Sequence, residues 1–249
     1  MGRSIVITSG KGGSGKSTLT AALGRAFAEA GKSCVLVDMD MGMRSLDLML
    51  GIQDKVVYDL ADVAEGMVKI RPALVKVDGS GELFVLNAAQ AKGSDSITAV
   101  QIERVIDTLK EKFDFVCIDC PAGVGRGFRN ALSGADEAII VALPDQVSVR
   151  DAERVMGLVN KAGVSAPKLV INRMPMDAPP PNALSIEAIQ DVLRLELLGW
   201  VAEDPGIGRG RENVQMAWIA ARLMGQHIAI EPYRRMGYFA RLGRALMGK

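Results

Sequence analysis

One stretch near the amino terminus constrains this chain more than any other. Residues 10–18 read Gly-Lys-Gly-Gly-Ser-Gly-Lys-Ser-Thr, and they lie between an apolar run at residues 5–7 and an alanine-rich segment with helical periodicity. The stretch satisfies the pattern G-x-x-x-x-G-K-[ST], which binds phosphate groups where it joins a strand to a helix. A glycine-rich turn without a ligand is the alternative, and the flanking strand and helix patterns disfavour it.

The residue types of this loop suit phosphate for physical reasons. Glycine lets successive backbone N–H groups turn toward phosphate oxygens with no Cβ in the way. A helix beginning near Lys16 points its positive dipole end at the same place. We expect Lys16 to contact the β- and γ-phosphates and Ser17 to supply an oxygen ligand to Mg²⁺. The loop residues predicted to bind nucleotide are Gly10, Lys11, Gly12, Gly13, Ser14, Gly15, Lys16, Ser17 and Thr18.

Composition limits the class of protein. The chain has 249 residues, 49% of them hydrophobic and 24% charged, which suits one large globular domain. Its net charge of +1 gives no overall electrostatic attraction to nucleic acid, so we expect no nucleic-acid partner. A strand begins almost at the first residue, and no apolar run is long enough to span a bilayer, so we expect a cytoplasmic protein.

Short β-branched runs alternate with longer helical segments. This alternation predicts a single α/β domain: a mostly parallel, twisted sheet with helices on both faces. The predicted strands are 4–8, 33–38, 83–86, 115–119, 137–142, 168–172 and 197–201. The predicted helices are 16–30, 99–112, 149–162 and one that follows Ser185.

Aspartates stand where two of the predicted strands end. The stretch Asp38-Met39-Asp40 and the stretch that begins at Asp119 each follow a continuous apolar run, where a buried carboxylate is costly without a partner. A cation at the strand ends removes that cost. We expect Asp119 to hold Mg²⁺ through a water and Asp40 to orient the attacking water. Helix N-caps are the alternative interpretation of both residues.

The cysteines and the single histidine do not indicate a metal or redox site. Cys34, Cys117 and Cys120 lie in or beside predicted strands, which is typical of reduced core thiols. The C-x-x-C spacing of the last two ends a strand and opens no helix, unlike a redox motif. His227 has no Cys or His near it in sequence.

The extra lysine of the loop, Lys11, carries a resemblance to a known family. The pattern Lys-Gly-Gly-x-Gly-Lys-[Ser/Thr] resembles the deviant Walker A motif of the ParA/MinD family of P-loop NTPases. The resemblance implies ATP and Mg²⁺ as cofactors, and it implies that Lys11 reaches the nucleotide of a partner subunit in an ATP-bound homodimer. A solvated loop lysine is the alternative. Further matching stretches are residues 38–40, 44–47, 56–59, 86–90, 119–123, 135–138, 148–151, 172–173 and 201–204.

The resemblance also assigns roles to individual residues. It makes Asp40 the switch I aspartate and Asp119 the Walker B aspartate, so that the catalytic residues are Lys11, Lys16 and Asp40. It implies that Asn172, Arg173 and Asp204 recognise adenine. It places a partner surface on the helix that carries Arg150, Asp151, Glu153 and Arg154, and it implies a MinC-like division inhibitor and a MinE-like or other activator. A solvated helix face is the alternative for that surface.

The carboxyl-terminal tail is amphipathic. At 100° per residue, apolar side chains share one face while arginines lie opposite, a pattern typical of helices that lie on anionic membranes. We therefore divide the chain into an ATPase domain, 1–232, and a membrane-targeting segment, 233–249. A final core helix is the alternative. The residues predicted to contact the membrane are Met236, Phe239, Arg241, Leu242, Arg244 and Leu246.

These interpretations combine into one hypothesis with three rivals. The hypothesis is an Mg-ATP-dependent switch in division-site placement, which dimerises with ATP and is peripheral on the inner face of the cell membrane. The rivals are a ParA-type DNA-segregation ATPase, a flagellar-number regulator of the same family, and an ATPase resembling the nitrogenase iron protein. The last needs cluster cysteines on a dimer axis, and the strand cysteines are poorly placed for that.

Overall fold

A computed structural model describes residues 1–41, 45–89, 97–164, 166–176, 180, 182–207, 210–211 and 213–233. Within them the chain forms one sheet with the strand order β3-β4-β2-β5-β1-β6-β7-β8. Only the β3–β4 pair is antiparallel among the pairings of these described strands. The strands are β1 (Arg3–Thr8), β2 (Cys34–Asp38), β3 (Leu74–Lys76), β4 (Leu83–Leu86), β5 (Phe115–Asp119), β6 (Glu137–Ala142), β7 (Lys168–Met174) and β8 (Glu196–Ala202).

Helices cover both faces of this sheet. Apolar side chains of α1, α2 and α9 form the core on one face, while those of α3 to α7 pack on the other. Parallel strands buried on both faces need continuous apolar runs, which is what the sequence supplies. The helices are α1 (Lys16–Glu29), α2 (Ser45–Leu50), α3 (Leu60–Ala64), α4 (Ile70–Ala73), α5 (Ala99–Lys110), α6 (Arg126–Ser133), α7 (Gln146–Lys161), α8 (Ile186–Leu193) and α9 (Val214–Leu223).

The predicted fold class is confirmed, with differences in detail. All seven predicted strands are present, and β3 was not predicted because three residues at the sheet edge carry no periodic pattern. Helix α7 begins at Gln146 and not at residue 149, since the Asp145 side chain accepts a hydrogen bond from the N–H of Ser148 (2.9 Å) and caps the helix there. Helices α2, α3, α4, α6 and α9 were also not predicted.

The three cysteines are free thiols inside the protein. Cys34 and Cys117 lie on neighbouring strands with their Sγ atoms 3.9 Å apart, and all three side chains are buried. Burial raises the pKa of Cys120 to about 12, which keeps it a thiol. No group of three or more His, Cys, Asp or Glu residues in the described part of the chain is arranged to hold a metal ion.

After α9 the chain crosses the outer edge of the sheet as an extended strap, residues 226–233. The Arg222 guanidinium donates hydrogen bonds to the carbonyl oxygens of Leu198, Ile228 and Ala229, at 2.6, 2.8 and 2.8 Å. The Trp200 indole donates to the carbonyl of Glu231 (2.9 Å). The strap is therefore fixed against β8 by charged and aromatic side chains of the folded domain.

The predicted membrane segment cannot be compared with the structure. Of its residues only Tyr233 is described, and residues 234–249 lie outside the described part of the chain. Among the described residues, no helix combines the length and the apolar character that crossing a bilayer requires.

Candidate nucleotide-binding site

The loop between β1 and α1 lies at the carboxyl end of the sheet, where parallel α/β folds place their ligands. Its shape depends on hydroxyl groups within the loop. Ser14 Oγ donates to Ser9 Oγ (2.7 Å), and Ser9 Oγ donates to the carbonyl of Lys11 (2.8 Å). The buried Lys16 ammonium donates to the same Ser9 hydroxyl (3.2 Å). These bonds fix both the loop backbone and the position of the Lys16 charge.

Two glycines let the loop approach neighbouring elements closely. A Cβ on Gly10 would lie 2.3 Å from the carbonyl carbon of Asp151 on α7. Gly15 has φ of 92°, and a Cβ there would lie 2.4 Å from Nδ2 of Asn172 on β7. Side chains at these positions would push the loop away from both elements, so packing alone requires glycine at both positions.

Two buried carboxylates lie side by side below the loop. Asp38 and Asp119 are in register on the adjacent strands β2 and β5, and both are fully buried. Burial, followed by the charge of Asp38, raises the pKa of Asp119 to about 8, although the Ser17 hydroxyl and the Lys16 charge lower it. Burial likewise raises the pKa of Asp38 to about 7. Each carboxylate has one oxygen, Oδ2, with no hydrogen-bond partner in the structure.

These carboxylates fit a magnesium-bound nucleotide. Lys16 is the only buried lysine or arginine among the described residues, which leaves the two aspartates short of positive charge. A hard cation satisfies orphaned carboxylate oxygens and favours their ionised form. The Ser17 hydroxyl lowers the pKa of Asp119, so the hydroxyl and the carboxylate predicted to hold Mg²⁺ lie near each other. The N-cap alternative for Asp119 fails, because Gly125 occupies the N-cap position of α6.

Asp40 lies at the margin of this buried pair. It is half-buried, and its backbone N–H donates to Asp38 Oδ1 (2.9 Å). Burial raises its pKa, while the charge of Lys16 lowers it. The residue predicted to orient the attacking water therefore interacts electrostatically with the lysine predicted to bind phosphate, and it also faces solvent.

A cavity of about 300 Å³ adjoins the loop on the side of β7 and β8. Arg173 adopts φ of 55° in this wall, beside a register shift between the two strands. Asn172 donates from Nδ2 to the carbonyl of Ser14 (2.8 Å), and Asp204 accepts from the N–H of Gly206 (2.8 Å). The cavity is lined by Gly15, Thr18, Leu19, Asn172, Arg173, Ala202, Glu203, Asp204, Pro205 and Ile207.

The structure thus brings together most of the predicted site residues. The loop, Asp40 and Asp119 form one part, and the three residues predicted to recognise adenine line the adjoining cavity. On α7, Arg150, Glu153 and Arg154 are exposed, whereas Asp151 is half-buried against Gly10.

A larger open hollow, about 420 Å³, lies at the opposite end of the sheet and contains none of the predicted residues. Two of its basic side chains are paired, Arg3 with Glu137 (2.5 Å) and Lys110 with Asp136 (2.7 Å). Helices α1 and α5 end beside it, and basic residues near helix carboxyl ends are favoured by the helix dipole. Ion pairs and helix carboxyl ends therefore account for the basic residues of this hollow.

Sequence reasoning left three contributors to the site without a role. Ser9 links the loop to Lys16, Asp38 sets the charge around Asp119, and the Thr20 hydroxyl lies 3.4 Å from Asp119 Oδ1. Two of them could have been found in the sequence, because Ser9 carries a hydroxyl beside the first loop glycine and Asp38 ends a predicted strand. Thr20 carried no such signal, because its proximity depends on how α1 packs against β5.

Comparisons with known proteins now decide the family. The ParA family model, described as NUBPL iron-transfer P-loop NTPase, matches residues 1–185. The septum site-determining protein MinD of Bacillus subtilis is 40% identical over 253 residues, which covers 100% of this chain and 90% of that protein. The chain belongs to the MinD family of P-loop ATPases. The predicted family, the ATPase activity and the use of ATP and Mg²⁺ are thereby confirmed.

Solved structures of the MinD family agree with the fold. MinD in the MinC:MinD cell division complex of Aquifex aeolicus superposes with a TM-score of 0.83 at 36% identity, covering 93% of this chain and 100% of that one. MinD of Pyrococcus horikoshii, solved with Mg-ADP, gives a TM-score of 0.80 at 31% identity, covering 90% and 96%.

Proposed function

We propose that this MinD-family ATPase acts in division-site placement as an ATP-dependent membrane switch. ATP joins two copies of the chain, the joined tails attach to an anionic membrane surface, and hydrolysis releases them. Relatives named for septum-site determination, covering most of both chains, support the division-site role. The arrangement of Lys11 and Lys16 supports the switch.

The contrast between the two loop lysines is the observation that carries this proposal. Lys16 is buried and bonded inside the site, whereas Lys11 is exposed. Its carbonyl is nevertheless held by Ser9, so the backbone is fixed while the side chain faces outward. An outward lysine on a fixed loop suits contact with the phosphates of a second subunit, much as an arginine finger acts in trans.

Within one subunit the residues divide the chemical work. Bound Mg-ATP supplies the γ-phosphoryl group that water attacks. Lys16 would neutralise phosphate charge, Ser17 and Asp119 would hold the cation, and Asp40 would orient the attacking water. Asp40 is only half-buried, so its position before dimerisation is not fixed by packing. We therefore expect slow intrinsic turnover that a partner accelerates.

The exposed face of α7 is the proposed partner surface. Arg150, Glu153 and Arg154 would contact a MinC-like inhibitor or a MinE-like or other activator. The Aquifex relative solved with MinC supports such a partner. Since Gly10 packs on the backbone of Asp151, a partner that moves the start of α7 also moves the loop that holds phosphate.

The tail provides the proposed membrane contact. Residues 233–249 follow the ATPase domain, 1–232, and one short amphipathic helix binds a bilayer weakly. Two copies in one dimer act at an effective concentration in the millimolar range, according to the general rule for linked binding sites. ATP-dependent dimerisation therefore controls attachment, and the protein is peripheral on the inner face of the cell membrane.

Sedimentation with anionic liposomes tests this function. We expect the full chain to pellet with vesicles under Mg-ATP and to stay in solution under Mg-ADP. Phe239→Glu, which places a charge on the apolar face of the tail, should abolish pelleting, while Val192→Glu on the exposed face of α8 should not. Absence from the pellet under both nucleotides would contradict the membrane role, and retention on nonspecific duplex DNA would favour a segregation ATPase.

A further inference from the structure

One position of the phosphate-binding loop has no role in the motif. Ser14 occupies the position x of the pattern Lys-Gly-Gly-x-Gly-Lys, which leaves the residue type there open. In the structure Ser14 is only 1% exposed, although it lies between Gly13, which is exposed, and Gly15, which is half-buried. A buried hydroxyl is costly unless it is hydrogen-bonded. The partner of this hydroxyl therefore indicates what Ser14 does in this chain.

That partner, Ser9, is the centre of a small hydrogen-bond network. A serine hydroxyl has one proton to donate and can accept two hydrogen bonds. The Ser9 proton goes to the carbonyl of Lys11 (2.8 Å). Its two acceptor positions are taken by the Ser14 hydroxyl (2.7 Å) and by the Lys16 ammonium (3.2 Å). The hydrogen-bonding capacity of Ser9 is therefore filled within the loop, and its proton has a single direction.

The two donors to Ser9 differ in what else they are needed for. Lys16 is predicted to contact the β- and γ-phosphates, and at 3.2 Å its bond to Ser9 is at the long end of the range for N–H···O bonds. Charge-assisted bonds from lysine to phosphate oxygens are stronger than a bond to a neutral hydroxyl, so bound phosphate draws Lys16 away from Ser9. The Ser14 hydroxyl is neutral and buried, and it keeps its bond to Ser9.

The base half of the site holds Ser14 in place. Asn172 on β7 donates from Nδ2 to the carbonyl of Ser14 (2.8 Å). The backbone of residue 14 is therefore supported by the sheet, and its hydroxyl reaches Ser9 from a fixed point. Hydrogen bonds run in sequence from Asn172 through Ser14 and Ser9 to the carbonyl of Lys11.

We propose that Ser14 is a positioning residue for Lys11 in the nucleotide-bound protein and acts through Ser9. Without nucleotide, Ser14 and Lys16 both hold Ser9. With nucleotide, Ser14 alone keeps the Ser9 proton on the carbonyl of Lys11. The inference rests on the proposed dimer switch, and it adds the device that keeps the outward lysine in place once the inward lysine contacts phosphate. Because the Lys11 side chain is exposed, its direction depends on its backbone.

The alternative is that Ser14 only fills space beneath the loop. Removal of its hydroxyl would then have the same effect on the loop with and without nucleotide. The network predicts a different result, because Lys16 substitutes for Ser14 only while no phosphate is bound. The dependence on nucleotide therefore separates a positioning role from a packing role.

The N–H of Gly12 reports on this network, because it belongs to the same peptide group as the carbonyl of Lys11. NMR relaxation of the full chain measures its order parameter, which is about 0.85 for rigid backbone and below about 0.6 for flexible backbone. We expect the native chain to stay near the rigid value with and without Mg-ADP. Ser14→Ala should stay near it without nucleotide and fall below about 0.6 with saturating Mg-ADP.

Two further variants make this result specific. Ser9→Ala removes the acceptor of both donors, so Gly12 should become flexible with and without nucleotide. Ser133→Ala is the matched control: its hydroxyl donates to the carbonyl of Asn130 on α6 (2.7 Å), and Gly12 should stay rigid in both conditions. An order parameter in Ser14→Ala that equals the native value with Mg-ADP, or that falls equally in both conditions, would overturn the proposal.

Dimerisation tests the consequence for Lys11. In sedimentation velocity with Mg²⁺ and a non-hydrolysable ATP analogue, Ser14→Ala should need at least about 10-fold more protein than the native chain to form the same fraction of dimer. Equal dimer affinity in the two proteins would overturn the role assigned to Ser14. If the native chain stays monomeric with the analogue, the proposed switch fails, while the order parameter of Gly12 still decides whether Ser14 holds the backbone of Lys11.

Discussion

The phosphate half and the base half of the nucleotide site are constructed differently. The phosphate half is built on one continuous stretch, residues 9–20, which is fixed by its own hydroxyl groups and by Lys16, and Asp119 joins it from the end of β5. The base half is assembled from the ends of β7 and β8, where Arg173 has a left-handed backbone beside a register shift. The halves meet where Asn172 donates to the carbonyl of Ser14 (2.8 Å). The predicted phosphate contacts are therefore mostly local in sequence, while the predicted base contacts depend on the tertiary fold.

Asp119→Asn tests the phosphate half and has the largest expected effect. The amide keeps the size of the side chain but removes the charge that attracts the cation. We expect Mg-dependent ATPase activity to fall about 100-fold, in line with the loss of outer ligands at other metal sites. Steady-state phosphate release measures it. Asp54→Asn, at an exposed carboxylate, should retain activity.

The same variant should stabilise the nucleotide-free protein at alkaline pH. Burial first, and then the Asp38 charge, raise the pKa of Asp119 to about 8 from an ordinary value of 3.8. Between these values the folded state holds a proton that the unfolded state has lost, so stability falls as the pH rises through this window. We expect the Tm difference between Asp119→Asn and the native protein to grow from pH 5 to pH 9. Each kcal/mol of difference in unfolding free energy corresponds to about 2–4 °C in Tm. A constant difference would contradict the assigned pKa.

Substitutions of three loop glycines separate backbone strain from the contact between the halves. Gly12→Ala meets only the Cβ of Ala122 at 4.0 Å, Gly13→Ala at φ of 76° adds strain alone, and Gly15→Ala adds strain and a collision with Asn172. We expect the loss in unfolding free energy to be about zero for Gly12→Ala, about 1–3 kcal/mol for Gly13→Ala and more than about 3 kcal/mol for Gly15→Ala. Urea unfolding without nucleotide measures this order. Equal losses at Gly13 and Gly15 would show that the collision is relieved at no cost.

Asn172→Ala tests the base half and should have a smaller effect than Asp119→Asn. The truncation removes both the hydrogen bond to Ser14 and the predicted contact with adenine. We expect the Kd for ATP to rise about 10-fold, which corresponds to about 1.4 kcal/mol. Preference for ATP over GTP should fall with it. Reduced affinity for both nucleotides with unchanged preference would mean that Asn172 positions the loop without reading the base.

The residues that meet around the loop could be predicted from the sequence alone, because residues 10–18 are contiguous and Asp119 ends an apolar run, so each has a local physical reason. Lys16, Ser17 and Asp119 meet in the structure as the pattern required. The base half came from the family resemblance, since no spacing rule brings Asn172 to Gly15. The close contact between Gly10 and Asp151 was likewise not predictable, because it depends on how α7 packs against the loop.

The length of the sequence pattern decided which elements could be predicted. Buried parallel strands leave long apolar runs, so the sheet was predicted correctly. Helices α3 and α4 span only five and four residues, show no helical period and were therefore missed. Helix α3 does carry a capping box between Asp59 and Asp62, which is a usable local signal. Edge strand β3 carried no such signal.

The assembly state with bound nucleotide tests the central claim most directly. Sedimentation velocity should show the full chain as a dimer with Mg²⁺ and a non-hydrolysable ATP analogue, and as a monomer with Mg-ADP. Lys11→Ala should still bind the analogue, because Lys16 is unchanged, yet remain a monomer, whereas Lys32→Ala should dimerise normally. A dimer of Lys11→Ala with the analogue, or a monomeric native chain saturated with it, would contradict a switch in which Lys11 joins two subunits through ATP.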